Sequence, residues 1–195
     1  MLSYNDSLKI LKDTDALLEG HFILSSGLHS SKYIQCAKLL SHPKKAQAIC
    51  KSLTEKIKKK FKRIDLILSP ALGGIVIGYE IGRQLNIQTI FAERKKNKFI
   101  LRRGFNIPEK SNVLIVEDVI TTGKSSLECS KLISRHKGNI LGFACIIDRS
   151  TKNLLKKKTI VSQIRLRISV YKKNKLPKKL ISIHPNVQGS GRLFK

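Results

Sequence analysis

Tryptophan is absent, methionine occurs once, and aromatic residues make up only 6% of the 195-residue chain. That scarcity argues against a nucleic-acid platform, which interleaves stacking aromatics with basic side chains. Acids are also few: 13 Asp and Glu stand against 39 Lys and Arg, a formal net charge of +26. A field of that sign attracts polyanions. The lysines, however, spread along the whole chain, through Lys56 to Lys60, Lys156 to Lys158 and Lys172 to Lys179, and gather around no aromatic cluster. A general bias toward Lys and Ile is the favoured reading, and nucleic acid is not expected as a partner. No apolar run reaches membrane-spanning length, and the N-terminus carries no basic, apolar, small-residue export signal. No membrane association and a cytoplasmic location are therefore expected. Cys36, Cys50, Cys129 and Cys145 are scattered through apolar surroundings without paired metal-ligand spacing, so reduced buried thiols are expected rather than disulfides or zinc. No repeat or linker divides the chain, and 41% hydrophobic residues suffice for one domain over residues 1 to 195.

What the chain does have is concentrated in Val113 to Ser126, VLIVEDVITTGKSS. Val113 to Val116 read as a short buried strand, and Glu117 and Asp118 stand at its carboxyl end. Thr121, Thr122, Gly123, Lys124, Ser125 and Ser126 then form a small, hydroxylated turn that leads into a helical pattern with Cys129, Leu132 and Ile133 on one face. The amides of such a turn and the positive end of the helix suit a phosphate dianion, with hydroxyls as extra donors and Lys124 as a point charge. Two carboxylates cannot face the same phosphate without repelling it. They must serve another part of the ligand, either vicinal hydroxyls or a hydrated metal ion. A sugar phosphate meets both demands. The nucleotide P-loop also ends Gly-Lys-Ser, but it needs a glycine where this chain has Asp118. The plainer alternative is a strand, turn and helix with incidental acids.

This segment resembles the ribosyl-phosphate signature of the type I phosphoribosyltransferases. The resemblance implies that Glu117 and Asp118 bind the ribose hydroxyls of phosphoribosyl pyrophosphate and that Thr121 to Ser125 bind its 5-phosphate. It leaves the base open.

Residues Asn5 to Leu18 read as an amphipathic helix ended by Gly20, and Gly20 to Gln35 as a hairpin around a Ser-Ser-Gly turn. The hairpin is similar to the N-terminal hood of orotate phosphoribosyltransferases. The similarity implies base or pyrophosphate contacts at Ser25, which stands where many relatives carry a basic residue, and at Tyr33 and Ile34. Pro43 opens a helix to about Lys60. Asp65 to Ser69 is a buried strand, and a helix follows from about Gly74 to Gln84. The glycine pair between them permits close backbone approach to a ligand, and the resemblance makes Ala71, Leu72, Gly73 and Gly74 the pyrophosphate loop. Ile87 to Ala92 is a further strand. Six of the eleven residues from Glu93 to Arg103 are basic, which composition alone explains as a solvated run. The order Arg94, Lys95, Lys98 is similar to the mobile catalytic loop of the orotate enzymes, although their histidine is replaced by the run Phe99-Ile100-Leu101. By that likeness the loop acts across the interface of a homodimer.

Ile140 to Asp148 is a strand ending in Asp148-Arg149. A surface ion pair would explain the two residues, whereas the resemblance assigns Arg149 to the orotate carboxylate, which suits a guanidinium fork. Ile160 to Tyr171 reads as a final strand, and 172–195 as a basic tail of no assigned function. The fold expected is α/β: a mostly parallel sheet flanked by helices, with a small hood formed by residues 1–40. The resemblance, covering about residues 14 to 150, implies transfer of ribosyl phosphate from phosphoribosyl pyrophosphate to orotate. Mg²⁺ is the implied cofactor, held mainly by the donor with no direct protein ligand assigned. A purine or uracil phosphoribosyltransferase, or a phosphoribosyl-sensing regulator that binds nucleic acid, are the alternatives.

Overall fold

The computed structural model describes residues 1–96, 98–150, 155 and 158–187. Its elements in order are α1 (Tyr4–Lys12), β1 (Leu17–Ile23), β2 (His29–Ile34), α2 (Cys36–Leu40), α3 (Pro43–Lys60), β3 (Leu66–Pro70), α4 (Gly73–Leu85), β4 (Thr89–Lys95), β5 (Lys98–Ile100), β6 (Asn112–Ile120), α5 (Lys124–Arg135), β7 (Asn139–Asp148), β8 (Ile160–Arg165), β9 (Val170–Tyr171), α6 (Lys178–Ile181) and β10 (Asn186–Val187). Six strands form the main sheet in the order β5-β4-β3-β6-β7-β8, parallel except for the edge strand β5. Residues alternate between its faces, as the two-residue period of a strand requires. Ile67, Leu114 and Val116 join Ile49, Leu53 and Ile57 of α3 and Ile77 and Ile81 of α4 on one face. Leu66, Leu68, Val113 and Ile115 join Cys129, Leu132 and Ile133 of α5 on the other.

The chain leaves β3 through α4 to β4 on one side, and leaves β6 through α5 to β7 on the other. Strand order therefore reverses between β3 and β6. In such sheets a crevice opens at the carboxyl ends of the two diverging strands, and ligands bind there. Here those ends carry Pro70 to Gly74 and Glu117 to Gly123.

Four expectations change. The first helix stops at Lys12, and Leu17 and Leu18 belong to β1, paired with Ile34 and Tyr33. Thr14 turns its hydroxyl back to the Ile10 carbonyl and Asp15 takes a left-handed conformation (φ 54°), which breaks the helix before Gly20. β6 runs four residues past Val116, because its pairing with β7 continues to Ile120 opposite Asp148. The basic loop is partly an ordered hairpin of β4 and β5. The last predicted strand splits, with β8 closing the main sheet and β9 pairing with β2.

The hood is a second sheet, ordered β10-β1-β2-β9, so the C-terminal segment supplies both of its edges. His21 on β1 and His29 on β2, both buried, meet at 2.7 Å. The Nδ1–H of His21 donates to the Ile183 carbonyl at 2.9 Å, so its Nε2 is left to accept from His29 Nδ1 when both rings are neutral. Part of the tail is thus structural. All four cysteines are free and buried.

Candidate active site

The extension of β6 through the acid pair sends the two carboxylates to opposite faces of the sheet. Glu117 follows Val113 and Ile115 toward α5, where the Ser126 hydroxyl donates to its Oε1. Asp118 follows Leu114 and Val116 toward α4. There its carboxyl lies so near the start of the helix that a Cβ on Gly73 would come within 2.8 Å of Oδ2. The backbone N–H of Val119 donates to Asp118 Oδ1 at 2.9 Å. The acids therefore straddle one strand end, one beside each helix N-terminus, where the positive end of the helix dipole faces the crevice.

Desolvation raises both carboxyls. Glu117 rises from 4.5 to about 7, chiefly through burial, with the Ser126 hydroxyl opposing and Asp118 adding to the rise. Asp118 also rises, burial again leading, against backbone donors that pull it down. For Glu117 the folded state keeps its proton up to about pH 7 while the unfolded chain loses it near 4.5, so stability falls as pH climbs through that window. The gap corresponds to about 3 kcal/mol. Relative to a Glu117→Gln variant, the protein is expected to lose about that much unfolding free energy between pH 5 and pH 8, measured by urea denaturation. A difference that does not change with pH would show Glu117 to be ionised throughout.

The turn after β6 depends on its glycine. Gly123 caps α5 in a left-handed conformation (φ 78°), and a Cβ there would strike the Leu155 side chain at 2.8 Å. Thr121, Thr122 and Lys124 are exposed, and Ser125 is half-buried. Opposite this turn, Ala71 and Leu72 precede the first residue of α4, Gly73, with the peptide between Ala71 and Leu72 cis. A Cβ on Gly74 would meet the Val116 carbonyl at 3.0 Å, so the glycine pair is what lets α4 begin against β6.

Arg149 stands at the same end of the sheet, its backbone N–H donating to the Ile120 carbonyl at 2.8 Å. Asp148 does not pair with it. That carboxylate accepts from the Ser150 amide at 2.8 Å and faces Arg165 Nε at 3.5 Å. The half-buried Arg149 has its Nε without a hydrogen-bond partner among the described residues, and burial lowers its pKa. A guanidinium left so underserved at the rim of a crevice is suited to an incoming anion.

Glu117, Asp118, Gly73, Gly74, Thr121 to Ser125 and Arg149 are thus brought to one crevice. Others lie apart from it. Ser25 is exposed at the hood turn, Tyr33 stacks at 5.7 Å on Phe22 within the hood, and Ile34 packs against the main core. Lys95 and Lys98 face each other at the tip of the β4–β5 hairpin. β4 continues three residues past Ala92, the partner of Pro70, so the hairpin projects beyond the strand ends that form the crevice. Ser126 and Leu155 received no role from sequence. Ser126 was visible as one more hydroxyl of the turn, while nothing local marks Leu155.

The phosphoribosyl transferase domain family matches residues 36–176. An orotate phosphoribosyltransferase of Caldicellulosiruptor saccharolyticus is 46% identical over 170 residues, covering 87% of this chain and 88% of its own. One of Methylorubrum populi is 43% identical over 189 residues, covering 96% of each. Among solved structures, orotate phosphoribosyltransferase from Aeropyrum pernix superposes with a TM-score of 0.69 at 24% identity, covering 81% of this chain and 92% of that one. At that identity the superposition shows the fold alone.

Proposed function

The chain belongs to the phosphoribosyl transferase domain family, in its orotate phosphoribosyltransferase branch, and we infer that the crevice between β3 and β6 is where it transfers ribosyl phosphate to orotate. The reaction joins orotate to the ribosyl phosphate of phosphoribosyl pyrophosphate, giving orotidine 5-phosphate and pyrophosphate in pyrimidine nucleotide synthesis. The observation that carries the assignment of roles is the straddling of one strand end by Glu117 and Asp118, each beside a helix N-terminus.

The turn from Thr121 to Ser125 takes the 5-phosphate through its amides and hydroxyls. Glu117 and Asp118 bind the ribose hydroxyls, and the negative charge of Asp118 favours the ribosyl oxocarbenium ion as it separates from pyrophosphate. The α4 N-terminus at Gly73 and Gly74 receives the leaving group, and Arg149 orients the base through its carboxylate. The basic hairpin adds cationic charge over the departing pyrophosphate and excludes water that would hydrolyse the donor. The oxygen donors at the crevice, the carboxyl of Asp118 among them, fit a hard cation such as Mg²⁺ brought in with the donor's phosphates. Asp118 would hold its hydration shell. When bound, Mg²⁺ offsets pyrophosphate charge.

A homodimer is supported by α4 and the residue before it. Leu72, Val76 and Tyr79 are 84%, 52% and 66% exposed and lie along one helical face beside the pyrophosphate loop. Val76→Asp is expected to convert the sedimenting species to a monomer. The cytoplasm suits the four reduced cysteines, and no helix among the described residues is long and apolar enough to cross a membrane.

Loss of orotate absorbance in the presence of phosphoribosyl pyrophosphate and Mg²⁺, with adenine, hypoxanthine, guanine and uracil as controls, tests the assignment. Turnover with another base and none with orotate would overturn it. Arg149→Gln is expected to raise the KM for orotate about tenfold and leave that for the donor near its original value, because one charge-assisted contact is lost at one substrate only.

A further inference from the structure

β7 ends at Asp148, and Arg149 is the first residue past it. The residue after that, Ser150, is buried and is held from two sides. Its backbone N–H donates to Asp148 Oδ1 at 2.8 Å, and its carbonyl accepts from Arg165 Nη2 at 3.1 Å. Arg165 stands opposite Asp148 in the pairing of β8 with β7, and its Nε faces the second oxygen of that carboxylate at 3.5 Å. One guanidinium therefore reaches both the residue before Arg149 and the residue after it. Backbone bonds fix the same stretch, since the Leu166 N–H donates to the Asp148 carbonyl at 2.9 Å and the Arg149 N–H to that of Ile120. The Arg149 guanidinium, by contrast, keeps an Nε without a hydrogen-bond partner among the described residues.

We propose that Arg165 is a positioning residue for orotate: by clipping Asp148 and Ser150 together it fixes the turn that aims Arg149 at the crevice. This rests on the reading above that Arg149 meets the orotate carboxylate. An exposed ion pair contributes little by itself, and the Arg165 side chain is 61% exposed. Its partner differs, because the Asp148 side chain is only 9% exposed and a carboxylate taken out of water has to be met by donors. The Ser150 amide and the Arg165 fork meet it together, and a planar fork can serve a carboxylate and a carbonyl at once where an ammonium is a single point of charge. With Asp148 so occupied, the carboxylate next to Arg149 in the chain is not free to neutralise it. A long side chain magnifies at its tip any rotation of its own backbone, and an arginine fork binds a carboxylate best when the two planes align. Slack in the turn therefore weakens the hold on orotate and spares the chemistry, since none of the contacts of Arg165 named above is with the acid pair or the phosphate turn.

The test measures steady-state kinetics for both substrates in Arg165→Gln, Arg149→Gln and their double variant. Arg165→Gln is expected to raise the KM for orotate about fivefold to tenfold, with kcat and the KM for phosphoribosyl pyrophosphate within about twofold of the parent. A general loosening of the fold would move all three constants. Because Arg165 acts through Arg149, adding Arg165→Gln to Arg149→Gln should raise the KM for orotate no further. Three results overturn the proposal: a parent KM for orotate in Arg165→Gln, a loss that falls on kcat or on the donor as heavily as on orotate, or losses that multiply in the double variant. The two levels separate cleanly. If Arg149→Gln alone keeps the parent KM for orotate, the reading of Arg149 falls and the proposal with it. If that variant loses its hold on orotate and Arg165→Gln does not, only the proposal falls.

Discussion

Asp118→Asn is expected to lower kcat/KM for phosphoribosyl pyrophosphate by about a hundredfold to a thousandfold while the thermal midpoint stays level or rises. In the proposed mechanism the carboxylate is the charge that faces the developing oxocarbenium ion from the α4 side of the sheet, and its amide replacement keeps the shape and accepts hydrogen bonds more weakly. Stability should not suffer, because burial already disfavours ionised Asp118 and the Val119 amide can donate equally to a side-chain carbonyl. Steady-state kinetics of orotate loss, together with a thermal melt, check both halves. Turnover within a few-fold of the parent would mean that the charge at this position has no part in the chemistry.

Gly73→Ala should cost nearly as much, about a hundredfold in kcat/KM, without touching any group that reacts. The added methyl would come within 2.8 to 2.9 Å of all three heavy atoms of the Asp118 carboxyl, a separation real Cβ atoms do not tolerate. Either the carboxylate swings out of the crevice or the first turn of α4 retreats from β6, and both spoil the approach of ribose to pyrophosphate. The prediction carries its own control. Once Asp118 is asparagine and the charge is gone, adding Gly73→Ala should cost much less than it does alone, since the two changes act through one contact. Independent, additive losses would show that Gly73 matters for its backbone amide and not for the room it leaves.

The two substitutions also mark where reading the chain ended. Glu117 and Asp118 are adjacent in sequence and were legible as a pair because an acid pair closing an apolar run is a local pattern. Their division between the faces was not legible. It depends on β6 continuing in strand conformation to Ile120, and that follows from hydrogen bonds to β7, some thirty residues further along the chain. Leu17 and Leu18 fit the helical period as well as the strand period, and only pairing with β2 decides for the strand. The basic run was visible as charge, but the partition into arginines held by acids and lysines without an ion pair among the described residues required Glu93 and Glu128 to be placed in space. Nothing in the composition of the tail announced that it would supply one edge of the hood through β10, or that the end of the last predicted strand would supply the other through β9.

By itself, the amino-acid order determined the class of fold, the strand and helix that hold the site, and the chemistry of the ligand, because apolar period, turn residues and acid-hydroxyl spacing act over a few residues. The tertiary structure alone decided which helix each carboxylate faces, that Arg149 is left without its neighbour Asp148, and that Arg94 meets Glu128 of α5. Those outcomes turn on contacts between segments far apart in the chain, and such contacts are selected by packing and by the reversal of strand order between β3 and β6, not by any local preference.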